Sequence, residues 1–235
     1  MIWFSAPALG QTRVADGGLS SGPYRAMASA RHVHGQLIES DSAPAANLTF
    51  ASNFRYAGGQ RVVIDSAAEA DQYFFVDADQ GGTIHGLYWV QFEHRLPGVR
   101  GTYDYPARPL VALGTLRFVT DTKLFADYAD TVLSPDFSRG ATDQAWAGLL
   151  LRRNGYIIPR LAIRARMFYL PDSTRRSELM IIYVGALAPD DLGQRPLRIE
   201  APGADWPELA HRVIRDAQRG LRIEPISSVT RVHDR

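Results

Sequence analysis

The chain has 235 residues, 46% hydrophobic and 22% charged, an ordinary globular balance that allows a sizeable core and one large domain or two small ones. A formal net charge of +1 gives no global field toward nucleic acid or an anionic membrane. The absence of cysteine removes disulfides, thiolate nucleophiles and cysteine-ligated zinc or iron-sulfur centres.

A single lysine, Lys123, stands among the 26 basic residues, and with the many alanines this reads as the codon usage of a GC-rich, bacterial genome. Met1 to Gly10 lacks a basic start and a long enough apolar run for a complete secretory leader, and no later run reaches the length of a membrane span. A cytoplasmic protein without membrane contact is expected, the alternative being that this start is the tail of a truncated leader.

Gly18-Leu19-Ser20-Ser21-Gly22 has the spacing of a nucleophile elbow, but 13–17 is too short and polar to be the buried strand that must precede one. Pro23, Tyr24, Met27, Arg31, His34, Leu37 and Ile38 have helical spacing, which predicts a helix over 23–38. Within it, His32-Val33-His34 and Glu39 share the spacing of the first metal motif of the cupin family. The glycines that flank that motif are missing and no second motif follows. On a helix the two histidines point to nearly opposite sides, so no metal site is expected.

Four strands follow as an antiparallel meander: 48–56 and 60–65, joined by Ala57-Gly58-Gly59, then 72–78 and 84–94. The last two are the most informative stretch, because aromatic and β-branched runs flank Asp79-Gln80-Gly81-Gly82, a hairpin turn. A turn on those four residues sets Phe74 opposite Leu87 and Val76 opposite His85, with Tyr73 opposite Tyr88 and Phe75 opposite Gly86 on the other face. Both faces are apolar, so these strands belong inside a sheet covered above and below. A calcium-loop reading of Asp77 and Asp79 fails, since the twelfth position is Tyr88 and supplies no carboxylate. Neither glycine-rich phosphate-loop spacing occurs, and no cofactor is expected.

Beyond a Gly-, Pro- and Tyr-rich loop over 97–109, the pattern predicts a strand over 110–120 and a helix over 122–132. The segment 134–141 is a possible internal division, although a single domain over 1–235 is expected. Thr142 reads as the N-cap of a helix through Arg153, with Gly155 as its stop. Strands at 161–170 and 178–187 flank 171–177, and a last helix has Asp205 as N-cap, Pro207 in its first turn and Gly220 past its end. The fold class is α+β: a mostly antiparallel sheet of about seven strands on three or four helices, curved around a cavity in one version.

Period-two alternation puts Gln91, Glu93 and Arg95 on the face of Leu87 and Trp89, where an apolar strand turns polar. His94 points the other way. Trp89, Gln91, Glu93 and Arg95 can line the mouth of a small-molecule pocket, with Tyr103, Asp104 and Tyr105 closing over it. The function expected is a soluble binding or interaction module with a pocket lined by the aromatic sheet. The alternative is a metal-independent hydrolase or isomerase using Glu93 as general base, assisted by Tyr103, Asp104 or Tyr105. A raised Glu93 pKa in a closed pocket favours the enzyme, and a wet Glu93 paired to Arg95 favours the module. Arg160, Arg164 and Arg166 form a second set, alternating with Leu161, Ile163, Ala165 and Met167 and near Arg152, Arg153, Arg175 and Arg176 in sequence. That face could take a phosphate or carboxylate, but a solvated face paired with acids is expected. With Phe168 as its single aromatic, it does not fit single-stranded nucleic acid.

Overall fold

The computed structural model describes residues 31–105, 109–139, 142–192 and 206–226. The nucleophile-elbow spacing at 18–22, the start at 1–10, the first part of the expected helix over 23–38 and the N-cap at Asp205 lie outside them. The strands, in chain order, are β1 (Arg31–His34), β2 (Leu37–Ser40), β3 (Ala46–Phe50), β4 (Arg55–Ile64), β5 (Ala68–Ala78), β6 (Ile84–Arg95), β7 (Leu110–Leu113), β8 (Leu116–Phe125), β9 (Ala162–Tyr169), β10 (Ser177–Ala186) and β11 (Leu221–Pro225). The helices are α1 (Tyr128–Thr131), α2 (Asp143–Arg153) and α3 (Trp206–Gly220). All pairing between strands is antiparallel, in a four-stranded sheet of order β1-β2-β3-β11 and an unclosed seven-stranded sheet of order β4-β5-β6-β10-β9-β8-β7.

A seven-stranded antiparallel sheet is present, and a second, four-stranded sheet stands beside the single one expected. The first departure is at 31–40, where a tight hairpin turning at Gly35, φ +59°, stands in place of a helix. The apolar residues there satisfy both periods, and tertiary packing chooses the strand: Val33, Ile38, Leu48 and Ile223 form one row across the four-stranded sheet. As alternate residues of a strand, His32 and His34 therefore share one exposed face, with ring centroids 6.4 Å apart, and do not point in opposite directions. Ala57-Gly58-Gly59 is not a turn but part of β4, which carries a bulge between Tyr56 and Gly58. The strand expected over 110–120 is a hairpin folded at Gly114, φ +61°. The helix expected over 122–132 shrinks to α1, because Thr122 to Phe125 continue β8 and pair with β9.

The β5-β6 hairpin turns where the sequence places it: the Asp79 N–H reaches the Thr83 carbonyl at 3.1 Å and the Gly82 N–H the Asp79 carbonyl at 3.1 Å. The register is nevertheless shifted by two. His85 is extruded as a bulge, so Phe74 faces Trp89, Val76 faces Leu87, Phe75 faces Tyr88 and Tyr73 faces Val90. An even shift keeps every side chain on its assigned face. Gly86 lies opposite Asp77 rather than Phe75, and the ring above its α-carbon is that of Phe54, 3.1 Å from where a Cβ would sit.

One face of the seven-stranded sheet packs Tyr73, Phe75, Tyr88, Val90 and Ile181 against Ile38, Leu48 and Phe50 of the other sheet and Val213 and Ala217 of α3. The Tyr88 hydroxyl donates to the Ala217 carbonyl at 2.7 Å and fastens that helix. The opposite face packs Phe74, Val76, Leu87, Trp89 and Ile182 against Tyr128, Leu133, Leu150 and Leu151 of the α1-α2 layer. The central strands are thus covered above and below, as their apolar faces require. β9 and β10, which follow 134–141, lie together in this sheet between β6 and β8, which precede it.

Candidate functional site

Toward the C-terminal end of β6, the helix-covered face changes from apolar to polar. Gln60, Gln72 and Gln91 occupy one row across β4, β5 and β6, since Gln60 faces Gln72 and Gln72 faces Gln91. Their amides form a chain in which each –NH2 donates onward: Gln60 Nε2 to Gln72 Oε1 at 2.7 Å, Gln72 Nε2 to Gln91 Oε1 at 2.9 Å, and Gln91 Nε2 to Glu93 Oε2 at 2.7 Å. Tyr103 donates its hydroxyl to Glu93 Oε1 at 2.6 Å, so Glu93 accepts on both oxygens. Such a head-to-tail chain strengthens its members by mutual polarisation.

Beside Glu93, on the neighbouring strand, stands Glu178. Directly opposed residues on one face lie about 4.5–5.5 Å apart at Cβ, where like charges repel. Glu178 is buried, 4% exposed, and takes a hydrogen bond from the Tyr105 hydroxyl. Burial first, and then the Glu93 charge, push its carboxyl up to about 8, while Tyr105 and Arg95 pull the other way. Glu178 therefore holds a proton at neutral pH. Asp143, the first residue of α2, is pushed up to about 6 by burial and by Glu93. Both tyrosine hydroxyls are raised well above their ordinary range, by burial and the adjacent carboxylates, and remain donors.

The loop after β6 is fastened to the β9-β10 connection. The Tyr103 N–H reaches the Arg175 carbonyl at 2.8 Å, and Arg176 donates to the carbonyls of Val99 at 2.9 Å and Leu96 at 3.0 Å. Tyr105 stacks on Phe168 at 4.3 Å between centroids, and the Arg95 guanidinium lies 4.8 Å above the Tyr103 ring. Comparison with protein-family models, with curated proteins and with solved structures finds no match. Among the described residues no three His, Asp or Glu side chains are grouped so as to hold a metal ion.

Of the residues singled out in the sequence, Gln91, Glu93, Arg95, Tyr103 and Tyr105 come together. No ion pair joins Glu93 to Arg95. Trp89 is a core residue beneath them, 1% exposed and 5.8 Å from the Phe74 ring. Asp104 points outward and pairs with Arg175. Glu178, Gln72 and Gln60 are the members that sequence reasoning missed. Glu178 carried a signal, standing in phase with Met180, Ile182 and Val184 on a strand otherwise apolar on that face.

The second arginine set corrects an expectation of solvated side chains. Arg164 and Arg166 do lie on the side of β9 opposite Ile163 and Met167, but that face is roofed by the helical layer. Arg166 is half-buried and grips Asp121 at 3.0 and 2.7 Å, whereas Arg164 is 8% exposed. Arg160 is exposed and grips Asp127 at 3.1 and 3.0 Å.

Proposed function

We propose that the chain is a binding module for a small polar molecule, recognised by Glu93 and Glu178 beneath the Tyr103 to Tyr105 loop. The observation that carries this reading is the pair of facing glutamates, each capped by a tyrosine hydroxyl from one surface loop. Two carboxyls side by side at the covered end of this face cost folding stability, and such costs concentrate where a ligand or reaction uses them. The tyrosines supply two hydroxyl donors that an incoming molecule replaces with its own. A ligand bearing adjacent donors, such as a polyol or an amine, fits the two acceptors. The strands beneath are central and rigid, so the loop is the part that moves on binding.

The test is a thermal-shift screen of polyols, sugars and amines against wild type, Glu93→Gln and Glu178→Gln at neutral pH. The expected result is a saturable stabilisation of wild type that both variants lose. Compounds that stabilise all three proteins equally would refute the assignment.

One observation favours a second reading, an acid-base hydrolase or isomerase. A buried carboxyl titrating at about 8 directly across from a second glutamate offers a proton donor, here with Glu178 as the acid rather than Glu93 alone as the base. Turnover of a compound found by the screen, falling as pH rises past about 8 and abolished in Glu178→Gln, would select it over simple binding.

A further inference from the structure

Arg164 lines a cavity of about 420 Å³ between β8, β9 and α1, with Lys123, Phe125, Thr131, Val132 and Gln144 among its other walls. Its guanidinium is almost fully enclosed, yet its Nε has no hydrogen-bond partner, and among the described residues Arg164 makes no ion pair. The neighbouring acids are taken: Asp121 is gripped by Arg166 and Asp127 by Arg160. Arg164 Cζ lies 4.9 Å from the Phe125 ring centroid and Lys123 Nζ 5.1 Å from the same centroid, so one aromatic ring carries two cations. Burial and the adjacent Arg166 lower the Arg164 pKa only to about 10, and it stays charged at neutral pH. A buried charge without a counter-ion is the costliest kind of polar burial, and a folded protein keeps one where something completes it.

We infer that this cavity is a second binding site, for a small organic anion whose carboxylate or phosphate is held by Arg164 and whose apolar body lies against Phe125 and Val132. The fork of a guanidinium matches a planar carboxylate or a phosphate face, and Lys123 adds a second charge at the mouth. Gln144 offers a further amide donor. The volume is at the lower end of the roughly 300–1,000 Å³ usual for small-molecule cavities. The site is independent of the glutamate pair: Arg164 pairs with Val184, six positions along β10 from Glu178, or about 20 Å.

The test is calorimetric titration of the full chain with benzoate, with phenyl phosphate and with benzyl alcohol as the neutral control, each alone. At least one anion should bind saturably and the alcohol should not, and which anion binds distinguishes a carboxylate from a phosphate ligand. Arg164→Met should weaken that anion by at least about tenfold, the usual worth of a charge-assisted contact, while the free variant melts no lower than wild type because an unpaired charge is gone. Lys123→Met, at an exposed position, should keep the fold and weaken binding less. In wild type the side-chain Nε-H resonance of Arg164 should move on titration with the anion alone, a readout that needs no variant. Failure of both anions to bind wild type, or wild-type affinity in Arg164→Met, overturns the proposal.

Discussion

The proton on Glu178 ties the glutamate pair to the stability of the chain. Free carboxyls titrate near pH 4 to 4.5, whereas in the fold Asp143 holds its proton to about 6 and Glu178 to about 8. Between those limits the folded state binds more protons than the unfolded one. The stability these groups contribute is therefore complete below about pH 4 and is lost as pH rises through 6 and 8. Glu178→Gln keeps an acceptor for Tyr105 and removes the later part of that loss. Urea midpoints at about pH 5 and about pH 8.5 should accordingly differ less in the variant than in wild type, and equal losses would assign the pH dependence elsewhere. Gly86 gives a second test at this scale. A valine there would push into the Phe54 ring, itself edge-on to Tyr88 at 4.8 Å, and should cost roughly 1 to 3 kcal/mol by overpacking. An unchanged denaturant midpoint with unchanged slope would show that the Phe54 contact is not formed. Half of the glutamate site was legible from the sequence: alternation along one strand puts Gln91, Glu93 and Arg95 on one face. Glu178 was not, because its position depends on which strands pair, and β6 and β10 meet across a long stretch of intervening chain.

Among the elements, α2 is the one whose ends the sequence states most plainly. Thr142 Oγ1 accepts from the Ala145 N–H at 3.1 Å, and Gly155, φ +81°, closes the far end through the Arg152 carbonyl at 3.0 Å. Its middle holds a feature that only tertiary structure reveals. A Cβ on Gly148 would sit 1.9 Å from the Leu133 carbonyl oxygen, so the helix docks onto the turn after α1 through its own backbone. In an isolated helix Gly→Ala gains about 1 kcal/mol. Here Gly148→Ala should instead destabilise by roughly 1 to 3 kcal/mol, and a rise in midpoint would show that this contact is absent. The strands at 161–170 and 178–187 were legible to within a residue, the first because its arginines alternate with apolar residues at period two and the second because a β-branched and aromatic run is bounded by a turn segment. The β1-β2 hairpin and β11 were not. Four or five residues with at most two buried positions are compatible with either period, and the pairing partners decide the matter, β2 for β1 and β3 for β2 and β11.

At the scale of the molecule, the segment 134–141 looks in sequence like a boundary, yet it divides a single sheet. β6 pairs with β10 and β8 with β9, so each half of the chain supplies the neighbours of the other. Separate fragments 1–136 and 137–235 should give undispersed NMR spectra alone and recover native dispersion when mixed. A first fragment that folds alone would show that β10 is dispensable to β6. The covered sheet has one more consequence, which concerns the glutamine row and the movement of protons. A primary amide cannot pass a proton along without becoming an imidic acid, so the row from Gln60 to Gln91 orients Glu93 electrically but does not relay a proton to it. The proton on Glu178 is therefore exchanged on the side of the tyrosine loop and the half-buried Glu93, and not through the interior of the sheet.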